Sequence, residues 1–290
     1  MRKQPSNWKR GLFIVGSLAP AMILALGIII YPIINTVLRS FRDPETGELT
    51  LGNYLYLFTN KLSASAIWYT LWVTVLTVAL AILIAYLLAL YLRFSTSRSA
   101  KFIGTLYLLP RFIPGLVAVY SMMMIVRDSG LLHRLSMLLP ETCFLYDWKP
   151  GILYNWKGIL LMNLWFNIPF ATMIIVAALS GISESIIESA LDVGAGKLRV
   201  FFQIILPLSY KDVMIAMTFV FMSNISSFTT PYLIGPNFPQ MLGVYLQSQF
   251  SNRRYELAAA TSVVVFLLSS VSAIIYLYTN MKEQVWENNG

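Results

Sequence analysis

The stretch Glu188–Ser209, ESALDVGAGKLRVFFQIILPLS, lies between two long apolar runs. It mixes acidic and basic residues with two glycines and a proline, although charged residues make up only 12% of the 290-residue chain. Hydrophobic residues make up 57%, and the mean hydropathy is +0.68. A soluble protein carries about a quarter charged residues, and a chain of this length cannot bury so much apolar surface in water. The composition therefore predicts an integral membrane protein in which the quoted stretch lies outside the bilayer.

Six apolar runs are long enough to form membrane-spanning helices. A span needs about 20 mostly apolar residues, and the runs are 12–37, 66–92, 102–126, 158–181, 213–234 and 257–280. Prolines predict a kink in the first helix, at Pro20 and Pro32, and breaks inside the third, fourth and fifth helices. The uncharged segment 235–252 holds Pro236, Pro239 and several polar residues. It is expected to be a short external or re-entrant helix rather than a seventh span.

The distribution of Lys and Arg predicts the direction of the spans. If the amino terminus is cytoplasmic, the cytoplasmic loops contain slightly more Lys and Arg than the external loops. Four of these residues lie in the first ten positions of the chain. Both termini and the quoted stretch are therefore predicted to be cytoplasmic. The expected organisation is an amino-terminal segment with the first helix and an external loop (1–65), a five-helix core (66–280) that includes the loop 182–209, and a cytoplasmic tail (281–290).

The residues before the glycines have a helical pattern. Glu184, Glu188 and Asp192 follow each other at i, i+4 and i+8, so the three acids line one face of a predicted helix. Ile182, Ile186, Ser189 or Ala190, and Val193 line another face. The spacing alone predicts an amphipathic connector at the membrane surface with its acids facing water.

The two glycines divide the stretch into two short helices. Gly194 and Gly196 end the first helix, and one of them is expected to adopt the left-handed conformation of a helix C-cap. A second helical segment begins at Lys197 and is expected to stop at Leu206-Pro207. The pattern is helix, glycine turn and helix.

The anchor residues of the stretch are Glu188-Ser189-Ala190, Gly194, Ile204 and Leu206-Pro207. Their order and spacing resemble the EAA loop in the membrane subunits of binding-protein-dependent ABC importers, which reads E-A-A, three residues, G, nine residues and I-x-L-P. The one departure is Ser189, a small residue in place of alanine. The resemblance implies the type I ABC importer permease fold, with six transmembrane helices and a cytoplasmic coupling loop.

In that family the loop docks into a groove on a cytoplasmic ATPase. The resemblance implies ATPase-docking roles for Glu188, Ser189, Ala190, Asp192, Gly194, Gly196, Ile204, Leu206 and Pro207. Small residues allow another backbone to approach closely, and a short helix can transmit the closing motion of the ATPase as a rigid body.

One ionisable residue lies within the predicted spans. Arg111 stands between Pro110 and Pro114 in the third run, and charges at membrane depth are costly and often functional. Two interpretations stay open: Arg111 lines a pathway and meets an anion or a carboxylate, or it reaches outward or caps free helix carbonyls. No acidic residue is expected within the spans.

The fourth and fifth runs carry polar residues at helical spacing. Asn163 and Asn167 are four residues apart near Pro169, and Ser223, Asn224 and Ser227 cluster in the fifth run. Such residues either hold helices together or border a substrate path at interrupted helices. Both interpretations stay open, and the two can hold together.

The sequence argues against catalysis in this chain. A single histidine, His133, and a single cysteine, Cys143, leave little for a metal cluster or a catalytic triad. There is no G-x-x-x-x-G-K-[ST] phosphate loop, so the chain is expected to bind no cofactor, with ATP and Mg²⁺ on a partner ATPase. The basic residues are scattered, which argues against nucleic-acid binding.

The resemblance extends over most of the chain. The loop RDPETGELTLGNYLYLF contains the T-x-x-N-Y segment found before the second helix in these permeases. The segment PYLIGPNFPQMLGVYLQSQF is similar to spermidine/putrescine permeases. The resemblance implies an importer permease in the bacterial inner membrane, which works with an ATPase dimer, a second homologous permease subunit and an extracytoplasmic solute-binding protein.

The solute that this resemblance implies is of the polyamine type. The alternatives within the same machinery are a carbohydrate or an anionic solute, since Arg111 is an unfavourable neighbour for a polycation. Alternatives of another class are an ion-coupled secondary transporter, which usually has an intramembrane carboxylate, and a membrane scaffold.

Overall fold

A computed structural model describes the backbone of residues 7–287 and the side chains of Trp8 and of 15–274, 276 and 277. The outermost parts of the predicted amino-terminal segment (1–6) and of the predicted tail (288–290) lie outside the described residues. Within the described range the chain is helical, and the extended pairing is confined to one isolated bridge between Arg42 and Leu49.

The helices lie in chain order as follows: α1 (Asn7–Ala25), α2 (Tyr31–Ser40), α3 (Gly52–Thr59), α4 (Lys61–Phe94), α5 (Arg98–Leu106), α6 (Gly115–Val126), α7 (Leu131–Ser136), α8 (Trp156–Ser180), α9 (Glu184–Asp192), α10 (Lys197–Val200), α11 (Leu206–Ile225), α12 (Thr229–Ile234), α13 (Leu242–Ser251) and α14 (Tyr255–Glu287). Two π turns, Leu26–Ile30 and Phe201–Ile205, and a 3₁₀ turn, Leu109–Phe112, complete the helical structure.

Six helical stretches of the described chain are long and apolar enough to cross a membrane. They are Val15–Ser40, Lys61–Phe94, Gly115–Ser136, Trp156–Ser180, Lys197–Ile225 and Tyr255–Ile274. The prediction of six spans is therefore confirmed. Helix α13, with ten residues, is too short to be a seventh span, as the prolines before it predict.

The bounds of the spans differ from the sequence prediction in the third and fifth. The predicted third span, 102–126, is broken into α5, the 3₁₀ turn and α6. The fifth long helical stretch starts at Lys197 instead of 213, and α11 ends at Ile225 before the short helix α12. Asp212 therefore lies within the fifth stretch, and Glu256 lies within the sixth, which begins at Tyr255 instead of 257. The expectation that the spans contain no acidic residue is wrong.

The expected break in the fourth span is also wrong, because α8 is continuous through Pro169. Proline removes one helical hydrogen bond, but α8 packs against both α4 and α11, and such neighbours hold a proline-containing helix together in a membrane. Pro169 itself is buried.

The two π turns stand immediately before proline-containing helix starts. The Tyr31 N–H bonds the Leu26 carbonyl before Pro32, and the Leu206 N–H bonds the Phe201 carbonyl before Pro207. A π turn widens the helix and so accommodates a residue that cannot donate to the carbonyl four residues back. The helical backbone thus continues through Leu206-Pro207, where the sequence rule predicts a stop.

The chain divides into two compact units, which are described separately. The first comprises the chain up to Thr59 together with Leu246–Val264. In it the T-x-x-N-Y segment closes the end of α2: the Asn53 side-chain amide donates to the carbonyls of Ser40 (3.0 Å) and Arg42 (2.9 Å). The bond to Ser40 satisfies one of the carbonyls that a helix end leaves free, and the bond to Arg42 holds the chain that follows α2.

The second unit comprises Asn60–Tyr245 together with the chain from Val265. Its core forms where α4, α8 and α11 pack together. Helix α4 contributes Ala81, Ala85 and Ala89, all fully buried, because small residues let helix backbones approach closely in a membrane.

Candidate functional site

A polar cavity of about 330 Å³ lies where α8 passes the two broken spans. Asn167 stands near the middle of α8, so the cavity lies midway along a helix long enough to cross the bilayer. All six residues that the sequence analysis singled out line it: Arg111, Asn163, Asn167, Ser223, Asn224 and Ser227. Residues far apart in the sequence are thus brought to one place.

Arg111 enters the cavity from the break in the third span. It lies in the 3₁₀ turn between α5 and α6 rather than in the middle of a continuous helix, because Pro110 and Pro114 interrupt the helix there. Its guanidinium carbon stands 5.0 Å from the centre of the Phe170 ring, a cation–π contact. Within the described part of the chain, its side chain neither caps a helix carbonyl nor forms an ion pair.

The opposite wall comes from the break in the fifth span. Helix α11 ends at Ile225, and α12 begins at Thr229, so the break falls directly after Ser223 and Asn224. The Tyr154 N–H bonds the carbonyl of Ile234 at the end of α12 (2.8 Å), close to the start of α8. The fifth span therefore runs alongside α8 and is interrupted at the level of the cavity.

Hydrogen bonds connect α8 to α11 at the cavity. The Asn167 Nδ2 donates to the Asn163 main-chain oxygen (2.7 Å) and lies 3.5 Å from Asn224 Oδ1. The Ser223 hydroxyl stands 3.3 Å from Asn167 Oδ1, and Asn224 Nδ2 donates to the Val220 carbonyl (2.6 Å). A carbonyl can only accept, so these bonds fix which way the amides of Asn167 and Asn224 point.

The side chain of Asn163 takes no part in this network. The residue is 4% exposed, and its Nδ2 has no hydrogen-bond partner among the described residues. A buried donor without a partner costs about 1–3 kcal/mol, and this donor belongs to a residue that lines the cavity.

The loop that carries the E-A-A-like sequence forms α9, a glycine turn and α10. Gly194 adopts a φ of +85°, and the Ala195 N–H bonds the Ala190 carbonyl (3.1 Å) while the Gly194 N–H bonds that of Leu191 (2.9 Å). This is the Schellman arrangement. The predicted left-handed helix C-cap is therefore confirmed and falls on Gly194.

The apolar face of α9 differs from the prediction. Of the predicted face, Ile182 is buried and Ala190 packs against the core of the second unit, but Ile186 and Val193 are 46% and 85% exposed. Ile187, which lies outside that face, packs against the core instead. The helix presents apolar residues on two sides, so periodicity alone does not identify the covered one. The outer surface of the loop therefore carries apolar side chains beside its acids.

The residues predicted to dock on an ATPase fall into two sets. Ala190, Ile204 and Leu206 pack against the core. The remaining six are exposed: Glu188, Ser189, Asp192, Gly194, Gly196 and Pro207.

Arg93 is a residue that the sequence analysis missed. It lies in the last turn of α4; its Nη1 donates to Glu184 Oε1 at the start of α9 (3.0 Å), and its Nε donates to the Leu179 carbonyl at the end of α8 (3.3 Å). One side chain thus joins α4, α8 and α9. The sequence does contain a signal for this ion pair, because a basic residue ends the second span and an acidic residue begins the helix of the loop.

Comparison with known proteins gives matches over most of the chain. Residues 81–282 match the family model described as "Binding-protein-dependent transport system inner membrane component". The spermidine/putrescine transport system permease protein PotB of Escherichia coli is 22% identical over 59% of this chain, and the match spans 61% of the length of PotB. The sulfoquinovosyl glycerol transport system permease protein SmoG of Agrobacterium fabrum is 29% identical over 95% of this chain and 94% of that protein.

Among solved structures, a chain from a bacterial ABC transporter involved in import of the acidic polysaccharide alginate superposes with a TM-score of 0.75. It is 18% identical, and the superposition covers 95% of this chain and 96% of that one. A chain of the MetNI methionine ABC transporter in an inward-facing conformation superposes with a TM-score of 0.55 over 75% of this chain and 95% of that one, at 14% identity. These likenesses show a shared fold.

Proposed function

The chain belongs to the family of inner membrane components of binding-protein-dependent transport systems, and from this premise we propose that it is the permease subunit of an ATP-driven importer. It forms the pathway for a small polar solute across the inner membrane of a bacterium. The subunit is not an enzyme, since a separate partner hydrolyses ATP.

The observation that carries the proposal is the polar cavity midway along α8. Helices interrupted near the middle of a membrane, with polar groups at the breaks, are how transporters build a solute site. The break between α5 and α6, which holds Arg111, and the break between α11 and α12, which holds Ser227, both border this cavity. A scaffold protein has no need of two broken spans around one polar space.

The loop from α9 to α10 is the docking site for the ATPase. It presents the exposed Glu188, Ser189, Asp192, Gly194 and Gly196, and Ala190 packs against the core. Directly after it, Pro207 is exposed, and Ile204 and Leu206 pack against the core. In this proposal the loop and both termini are cytoplasmic, as the Lys and Arg distribution predicts. An ATPase dimer binds ATP and Mg²⁺, a second homologous permease subunit completes the pathway, and an extracytoplasmic binding protein delivers the solute.

Two solute classes have support. A polyamine, the class that the sequence resemblance implies, is supported by the match to a protein named as a spermidine/putrescine permease. A carbohydrate or an anion is supported by the match to a protein named as a sulfoquinovosyl glycerol permease and by the presence of Arg111 in the cavity.

Co-purification tests the importer proposal. The chain, carrying an affinity tag, is co-expressed with the transporter genes encoded beside it and is purified in detergent. We expect an ATPase subunit to co-purify and the complex to hydrolyse ATP when reconstituted in nanodiscs. Val193→Asp, which adds a charge to the outer surface of the loop, is expected to reduce the amount of ATPase retained.

The competing classes give different results. A secondary transporter purifies without an ATPase and takes up solute in proteoliposomes that contain an ion gradient and no ATP. A scaffold shows neither ATP-dependent nor gradient-dependent uptake. Either outcome would overturn the importer proposal.

A further inference from the structure

The cavity is rich in hydrogen-bond donors and contains no acidic residue in its described lining. The guanidinium of Arg111 supplies a full positive charge and five N–H donors, and the described chain offers it no carboxylate partner. The buried Nδ2 of Asn163 is a further donor without a partner among the described residues. Of the two, the exposed guanidinium of Arg111 is the group that a ligand can reach, and the described chain leaves its charge uncompensated.

The acceptors of the cavity are largely occupied within the protein. Because Asn167 Nδ2 and Asn224 Nδ2 both donate to main-chain carbonyls, the Oδ1 atoms of these two residues point toward other side chains. Asn167 Oδ1 lies within reach of the Ser223 hydroxyl (3.3 Å), and Asn224 Oδ1 lies 3.5 Å from Asn167 Nδ2. A ligand that offers only donors therefore finds few acceptors.

The aromatic wall does not compensate for this imbalance. A ligand ammonium group can bind to the face of an aromatic ring, but the Phe170 face is covered by Arg111, and its ring makes an edge contact with Phe219 (5.9 Å between centroids). A polyamine, which carries ammonium groups and no acceptor, would meet the charge of Arg111 at the Phe170 ring.

From this balance of charge and donors, and resting on the proposed function, we propose that the cavity selects a small hydroxylated solute with an acidic group, such as a sugar acid. The acidic group binds Arg111, and hydroxyl groups of the solute exchange hydrogen bonds with Ser227 and Thr230, which also line the cavity. The volume, about 330 Å³, is at the small end of the range of roughly 300–1,000 Å³ for ligand pockets, which fits a solute of monosaccharide size.

Three probes test this selection on the full-length chain in nanodiscs, at constant ionic strength. D-Glucuronate has a carboxylate where D-glucose has a hydroxymethyl group, and spermidine represents the polycations. The measurements are the thermal unfolding midpoint and calorimetric binding. We expect D-glucuronate to raise the midpoint most, D-glucose to raise it less and spermidine to leave it unchanged.

Variants assign the preference to the cavity. Arg111→Gln is expected to weaken D-glucuronate binding by about tenfold, to the level of D-glucose, since it removes a charge-assisted pair. Arg127→Gln is the matched control, because Arg127 is an exposed arginine that lines a different cavity, and it should bind all three probes as the parent chain does. Ser227→Asp, which places a carboxylate in the lining, is expected to abolish D-glucuronate binding and to permit spermidine binding.

The proposal is overturned if spermidine stabilises the parent chain more than D-glucuronate does, or if Arg111→Gln keeps the preference for the anion. These measurements require no ATPase. If the binding tests fail but an ATPase still co-purifies, only the proposed solute class is rejected. If no ATPase co-purifies but the anion still binds, only the importer proposal is rejected.

Discussion

Replacing Gly194 by asparagine separates the two roles that this glycine could have. Gly194 has a φ of +85°, and a Cβ added to it would meet no atom within 4 Å. A side chain in the left-handed region costs roughly 1–2 kcal/mol, and asparagine is the residue that tolerates this region best after glycine. We therefore expect Gly194→Asn to fold, with a loss of about 1 kcal/mol or less in the free energy of unfolding.

The same substitution should strongly weaken ATPase docking. Residue 194 is exposed at the turn between α9 and α10, where we propose that the ATPase approaches the backbone closely. Extra atoms in a close-packed contact cost about 1–3 kcal/mol, which corresponds to roughly a 5- to 150-fold loss of docking affinity. The assay is the amount of ATPase retained by the detergent-purified chain, together with ATP-driven uptake in proteoliposomes.

Gly47→Asn is the matched control. Gly47 also has a positive φ, +71°, and also has no atom within 4 Å of an added Cβ, but it lies in the loop before α3 rather than between α9 and α10. It should cost similar folding stability and leave ATPase retention unchanged. The docking argument is refuted if Gly194→Asn retains the ATPase at the parental level, or if Gly47→Asn loses it equally.

Two further predictions concern side chains of α4. Thr70 accepts a hydrogen bond from the buried Leu242 N–H (2.7 Å). Thr70→Val should therefore reduce the free energy of unfolding by about 1–3 kcal/mol and lower the thermal unfolding midpoint. Thr77→Val should leave the midpoint unchanged or raise it, because the Thr77 hydroxyl is buried without a described partner. Equal midpoints for the two variants would contradict this. Arg93→Glu should raise the number of ATP molecules hydrolysed per solute imported. The loss in the free energy of unfolding should be small, about 1 kcal/mol, because Glu184 is 69% exposed. If the pair connects α9 to the core, adding Glu184→Arg to the same chain should restore the ratio.

The number of spans and the residues of the cavity can be predicted from the sequence because both depend on local composition. Apolar runs of sufficient length must span the bilayer, and polar residues within them must find partners or line a path. Arg111 between two prolines and the pair Asn163 and Asn167 therefore stand out in the sequence alone. Their convergence depends on how α8 packs against the broken fifth span, which the sequence pattern does not contain.

Each incorrect prediction from the sequence has an identifiable physical cause. The proline rule predicts a break at Pro169, but packing on both sides of α8 maintains the helix. The same rule predicts that a helix ends before Pro207, because it assumes regular α geometry, and a π turn avoids the clash. The sequence pattern assigns Ile186 and Val193 to one apolar face of α9, since periodicity identifies apolar positions without identifying which of them another element covers.

The π turn Phe201–Ile205 restricts the number of residues that its segment can contain as strongly as it restricts which residues these are. A π turn holds one more residue than the α turn that it replaces, and each residue advances an α-helix by about 100°. Deletion of one residue elsewhere between Gly194 and Pro207 would rotate the following helix by that angle and would carry Ser223 and Asn224 away from α8. Deletion within the π turn would instead restore an α turn, in which the Pro207 ring clashes with the carbonyl four residues back. The interval from Gly194 to Pro207 therefore sets the phase between the turn that we propose as the docking site and the wall of the cavity. This interval should tolerate many substitutions but no change in length.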